Sequence, residues 1–272
     1  MMRMMRTGTV RLITAVTLAL AALAALPARA QQSGDVGAPP GADAPAYETI
    51  TFPSDDGLTL TADLYEPDQS TFKIIVAFHQ ARSSRGEYRT IAPRLTDMGF
   101  RVLAVDLRSG DRFGGVENET ARRANDAGKP TAYLDAQQDM LAALRYADTE
   151  LRGARVIAWG SSYSASLAVH LASRHRDLID GVLAFSPGDY FRGAIDLVAD
   201  AQYIEQPVFI TGARSETEQW KPIYDELPNE MDRRGLQPEG RGAHGTSALI
   251  PRRSDAAAEY WQVVEAFLKE HF

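Results

Sequence analysis

The chain has 272 residues, 44% of them hydrophobic, a formal net charge of −7 and no cysteine. That length and apolar fraction fit one α/β domain with a sizeable core, and the acidic balance makes a nucleic-acid binder or a receptor for polyanions a poor fit. The missing thiol removes disulfides, thiolate nucleophiles, cysteine zinc sites and lipoprotein attachment.

At the N-terminus Arg3, Arg6 and Arg11 lead into an uncharged apolar run over residues 12–26, and Ala28-Arg29-Ala30 stands before Gln31. This is the order of a secretory signal peptide: basic start, apolar middle, small-residue cleavage site. The run is fifteen residues long, short of the roughly 20 that cross a bilayer. Cleavage after Ala30 is expected, with export to the periplasm or the medium and no stable membrane anchor afterwards. It would leave 242 residues and, with four arginines gone, a net charge of −11. Residues 31–46 (QQSGDVGAPPGADAPA) lack periodicity and read as a disordered linker, so a folded domain is expected over 47–272.

Tyr47 to Phe52 and Leu58 to Tyr65 flank the turn Ser54-Asp55-Asp56-Gly57, and Leu58, Leu60, Ala62 and Leu64 alternate onto one face, which predicts an antiparallel hairpin. The solid apolar run from Ile74 to Phe78 predicts a central strand. A helix from Glu87 to Met98, stopped by Gly99, and a strand from Arg101 to Val105 follow. Residues 106–131 read as one long polar loop and a candidate wall of a binding site; Asn118-Glu119-Thr120 within it matches a glycosylation sequon. An amphipathic helix is expected from Tyr133 to Thr149, strands at Val156 to Ala158, Gly181 to Phe185 and Pro207 to Thr211, and a capped helix from Ser254 to Lys269. Strands alternating with helices predict a mostly parallel sheet covered on both faces.

Between the strand at 156–158 and the helix-forming run from Ala165 lies Gly160-Ser161-Ser162-Tyr163-Ser164, close to G-x-S-x-G, in which a serine occupies a strained strand-to-helix turn. Small residues two before and two after let strand and helix approach. Ser162 has Gly160 and Ser164 there, whereas Ser161 would have Trp159 and Tyr163, so only Ser162 fits as nucleophile. The departure is Ser164 in place of glycine.

A serine hydroxyl needs a general base, itself oriented by a carboxylate. Of the five histidines, His170 and His175 fall on the helix after the turn, His271 in the terminal tail, and His79 in a loop suited to supplying backbone donors. His244, flanked by glycine in Gly242-Ala243-His244-Gly245, is the expected base, in the order serine, acid, histidine. The acid belongs after a strand between Ser162 and His244. Glu216 is the first choice, with Glu218 and Asp189 as alternatives.

With these residues in place the chain resembles the serine-type α/β hydrolases, and most of all the small exported esterases related to dienelactone hydrolases. The resemblance runs from about Tyr47 to the end and rests on the elbow, Phe78-His79-Gln80-Ala81, Asp106-Leu107-Arg108-Ser109-Gly110, Glu216 and Ala243-His244-Gly245. It implies an α/β-hydrolase fold with a mostly parallel central sheet, an N-terminal antiparallel hairpin and helices on both faces. It also implies an oxyanion hole made by the Tyr163 N–H and an N–H after the third strand. Gln80 stands where the family usually has glycine, so either Gln80 or Ala81 supplies that second donor. Dienelactone hydrolases use a cysteine nucleophile, so their particular substrate does not carry over.

The expected activity is cleavage of small-molecule carboxylic esters through an acyl-enzyme on Ser162, with neither metal nor organic cofactor. A peptidase or an acyltransferase would share the triad, and a non-catalytic binding protein would share the fold. Tyr88, Tyr163, Tyr190, Phe191 and Trp220 are candidates for lining an apolar substrate pocket.

Overall fold

The computed structural model describes residues 47–153 and 155–272; the expected signal peptide, its cleavage point and the linker lie outside them. The strands are β1 (Tyr47–Pro53), β2 (Thr59–Tyr65), β3 (Lys73–Phe78), β4 (Arg101–Val105), β5 (Arg155–Ser161), β6 (Gly181–Phe185), β7 (Val208–Thr211) and β8 (Arg233–Leu236). They form one eight-stranded sheet in the order β1-β2-β4-β3-β5-β6-β7-β8. The β1/β2 and β2/β4 pairs are antiparallel and the rest parallel. The helices are α1 (Ala92–Asp97), α2 (Glu119–Asp126), α3 (Gln137–Thr149), α4 (Tyr163–Arg174), α5 (Leu197–Ala201), α6 (Thr217–Asp225) and α7 (Ala257–His271).

The central strands carry unbroken apolar runs, Ile74–Phe78, Val102–Val105 and Val156–Trp159, because both faces are covered. Ile74, Val76 and Phe78 of β3 and Val156 and Ala158 of β5 enter a core shared with α3, α4 and α6. The intervening Ile75, Ala77, Ile157 and Trp159 enter a second core with α1 and α7. The two-residue strand period thus sorts one run of apolar side chains into two layers. Residues 58, 60, 62 and 64 share the first core, as their alternation predicts.

Several elements differ from the sequence reading. Residues 106–131 are not one loop: Asn118 caps α2 by accepting the Ala121 N–H at 2.8 Å. Only Ala121, Ala124 and Thr120 of α2 are buried, too few to give a strong periodic signal. The Asn118 side-chain nitrogen lies within 3.1 Å of His79 Nε2, Ser83 O and Leu107 O and the residue is 4% exposed, so the folded chain presents no glycosylation acceptor there. The helix expected from Glu87 splits into a short 3-10 turn, Arg85–Tyr88, and α1, which starts at Pro93's preceding residue. The last helix begins at Ala257 and runs through His271, whose side chain is buried against Phe267 rather than lying in a loose tail. Strand β8, with the sequence RRGL, and the short α5 and α6 carried too little apolar pattern to be read. Among the described residues no helix is long and apolar enough to cross a membrane.

The register levels the strand ends. Phe78 pairs with Gly160, Ser161 with Phe185, and Phe185 with Thr211. The loops after β3, β5, β6 and β7 therefore leave the same edge. Sheet order reverses between β3, which leads to β4 on one side, and β5 on the other, and such a switch point opens a crevice at the carboxyl ends of the strands.

Candidate active site

Ser162 sits between β5 and α4 at φ +63°, ψ −124°, a conformation that costs a non-glycine residue energy and is held by its surroundings. Its N–H donates to Phe185 O at 2.8 Å, and its carbonyl starts the hydrogen-bond ladder of α4. A Cβ on Gly160 would stand 2.4 Å from Ala165 Cα and from Ser164 O, so only glycine fits where strand and helix cross. Ser164 is where the pattern departs from glycine, and its hydroxyl closes the turn. It accepts the Ser161 N–H at 2.8 Å and lies 2.8 Å from Phe78 O, tying the elbow to the end of β3.

The acid and base are together. His244 Nδ1 lies 2.5 Å from Glu216 Oε1, and the second carboxylate oxygen of Glu216 accepts the Ser186 hydroxyl at 2.6 Å and the Ala213 N–H at 2.8 Å. Burial pushes the Glu216 carboxyl up, but the bonds from His244, Ser186 and the Ala213 N–H outweigh it and the net shift is downward. The hydrogen bond to Glu216 raises His244 above the ordinary histidine value against the opposing effect of burial. With Nδ1 donating to Glu216, the other ring nitrogen is the one left to act as a base.

The alternatives for the acid are placed elsewhere. Asp189 accepts the N–H groups of Phe191 and Gly193, bracing its own loop. Glu218 lies in the first turn of α6 and makes no hydrogen bond to His244 among the described residues. His170 is bound to Asp200 at 2.6 Å, and His79 accepts the Leu107 N–H at Nε2, so neither is a free base.

No hydrogen bond joins Ser162 Oγ to His244 among the described residues; their loops are joined one residue along. Thr246 N–H donates to Ser161 Oγ at 3.0 Å and Gly245 N–H to Ser186 Oγ at 2.9 Å. Gly245 is at φ +58°, and a Cβ there would come within 2.4 Å of Ser161 Oγ, which explains the glycine after the base. The Tyr190 hydroxyl donates to Ser186 O at 2.8 Å.

The two oxyanion candidates after β3 differ in their partners, and this counts against Gln80. Its N–H donates to Glu87 Oε2 at 2.9 Å and is not free to receive a developing charge. Ala81 N–H donates to nothing among the described residues, and Tyr163 N–H is the first of α4, with no intrahelical carbonyl to accept it. Those two donors flank the switch point. Of the aromatic candidates, Tyr88, Tyr163, Phe191 and Trp220 are buried in the cores, and Tyr190 packs partly buried against the first of them.

Ser186, Glu87 and Thr246 were not singled out in the sequence. Ser186 had a weak signal, a serine directly after an apolar strand, and it adopts φ +59° there. Glu87 and Thr246 had none, because their meeting depends on loops 159 residues apart.

The dienelactone hydrolase family model matches residues 60–239. No curated protein sequence matches the chain. Among solved structures, the Pyrococcus furiosus esterase Pf2001 is similar with a TM-score of 0.64 and 18% identity, over 83% of this chain and 93% of that one. The dienelactone hydrolase of Anabaena variabilis gives 0.63 and 12%, over 85% of this chain and 100% of that one. The Pyrococcus horikoshii acylaminoacyl peptidase gives 0.61 and 16%, over 84% of this chain and 42% of that one. At these identities the likeness establishes a shared fold.

Proposed function

As this chain belongs to the dienelactone hydrolase family, we propose that it is a serine hydrolase cleaving carboxylic esters through an acyl-enzyme on Ser162. The observation that supports this most is the 2.5 Å contact of His244 with Glu216 on the same sheet edge as the strained Ser162 turn. His244 Nε2 takes the Ser162 proton as Oγ attacks the ester carbonyl. The negative charge that develops on the carbonyl oxygen is received by the Ala81 and Tyr163 N–H groups. The tetrahedral intermediate collapses, the C–O bond to the alcohol breaks, and the alcohol leaves with the proton from His244. Water then repeats the sequence on the acyl group and frees the acid. Losing one oxyanion donor typically costs about 3–4 kcal/mol of barrier.

An apolar substrate group is favoured. A cavity of about 370 Å³ lies beside the loop after β6, lined in part by Ile195, Leu197, Val198, Pro222 and Ile223. Gly188 also lines it and stands against the Tyr190 ring, whose hydroxyl donates to Ser186 O at 2.8 Å. Turnover of a chain-length series of p-nitrophenyl esters that is lost in Ser162→Ala supports the reading. Preference for an added alcohol over water as acceptor would make the protein an acyltransferase, preference for an acylated peptide a peptidase, and no turnover of any a binding protein.

Export is part of the proposal and rests on the N-terminal sequence. The exported protein is expected to begin at or near Gln31 by intact mass; retention of Met1 would contradict it.

A further inference from the structure

Glu87 is a carboxylate that the proposed chemistry does not use, in a place where an idle charge is costly. It is 3% exposed, and no lysine, arginine or histidine pairs with it among the described residues. A buried carboxylate is retained only when hydrogen bonds hold it. Its two oxygens go to two different loops. Oε2 accepts the Gln80 N–H at 2.9 Å, and Oε1 accepts the Thr246 hydroxyl. Gln80 immediately precedes the oxyanion donor Ala81. Thr246 follows the base by two residues, and its N–H is fixed on Ser161 Oγ beside the nucleophile.

We propose that Glu87 is a positioning residue that locks the oxyanion loop to the base loop, setting the Ala81 N–H and the His244 ring relative to Ser162 at once. By occupying the Gln80 N–H it also selects Ala81 as the donor. Aspartate would not span both loops, and a neutral side chain with one acceptor would hold only one of them as strongly. The proposal rests on the reading of Ser162, His244 and the Ala81 donor given above.

The test is a double-mutant cycle on ester turnover with Glu87→Gln and Thr246→Val, each variant first matched to wild type by circular dichroism and thermal midpoint. Glu87→Gln is isosteric and Thr246→Val changes one hydroxyl, so both are suited to fold even if Glu87→Ala is not. Because both variants leave the substrate's contacts in place, kcat is expected to fall about tenfold or more in each, toward the 10²-fold that a 1 Å misplacement costs, with KM changed less than about threefold. The double variant should be no slower than the slower single, since both break one link. A kcat within about twofold of wild type in either single variant, or losses that multiply in the double, would overturn the proposal. Absence of ester turnover by the wild type would instead overturn the reading of Ser162 and leave the variants with nothing to differ in.

Discussion

At the scale of single residues the assignment turns on which carboxylate serves His244. Among the described residues only Glu216 bonds to it, at 2.5 Å, while Asp189 is occupied by two backbone N–H groups of its own loop. Glu216→Gln should therefore lower kcat by orders of magnitude, on the scale of the roughly 10⁴-fold for amide replacement of a triad acid. Glu218→Gln and Asp189→Asn should each change it less than about tenfold, all three compared at matched folding stability. The same pair sets a pH dependence. The base must be neutral to accept the Ser162 proton, and its value is raised above the ordinary 6.5. The rise of kcat/KM with pH is accordingly expected at a midpoint above 6.5, moving down in Glu216→Gln. Stability follows the two shifts in opposite senses. The lowered Glu216 contributes above its ordinary 4.5 and loses that contribution as pH falls through its folded value. The raised His244 contributes below 6.5 and loses that as pH rises through its folded value. Their joint contribution should be largest between 4.5 and 6.5, read as a bulge in thermal midpoint against pH that Glu216→Gln flattens. Ser162 and Glu216 could be proposed from the sequence because each follows a strand whose apolar run is strong, and His244 by elimination among the five histidines, since the strand before it, β8, carries no such run. The choice between Gln80 and Ala81 was not, because it depends on Glu87 reaching back seven residues to take one N–H.

At the scale of elements, the loops that carry the site are fixed by buried polar contacts as much as by apolar packing. Asp106, fully buried after β4, accepts the Arg85 N–H at 2.8 Å, the Arg85 guanidinium at 2.5 Å and the Glu119 N–H at 2.8 Å. One side chain thus joins the turn that bears Glu87 to the start of α2. Asp106→Ala would leave Arg85 with Asp63 at 2.9 Å as its remaining carboxylate but would strip the Arg85 and Glu119 N–H groups of their acceptor, so it should cost about 1–3 kcal/mol per unsatisfied group in denaturant unfolding. The departure from glycine at Ser164 makes a second prediction. Ser164→Gly would leave the buried Ser161 N–H without its acceptor and should destabilise by about 1–3 kcal/mol, although glycine is the residue the motif favours. A loss well below 1 kcal/mol would show that the hydroxyl does not close the elbow. The hairpin, the central strands and the elbow were readable because their apolar runs match a period of two or a solid buried run. Helix α2 and strand β8 were not: the first buries three small residues under a polar exterior, and the second is an edge strand of arginines and glycine.

At the scale of the whole molecule, the sheet brings the loops that hold Ala81, Ser162, Glu216 and His244, to which the proposal gives the oxyanion, nucleophile, acid and base roles, to a single edge, and the parallel register from β3 through β5, β6 and β7 to β8 makes those ends level. Each layer of the sheet has its own core, so the crevice lies on a scaffold packed from both sides. Rigid support of this kind is what a strained nucleophile turn requires. The claim on which the rest depends is that Ser162 is an activated nucleophile and not simply the residue that enters α4. The most direct measurement is reaction of the folded protein with a fluorophosphonate, followed by intact mass and peptide mapping. One adduct per chain is expected on Ser162, formed in step with loss of ester turnover and strongly slowed by His244→Ala. An unmodified protein, or an adduct on Ser161 or any other residue, would contradict it.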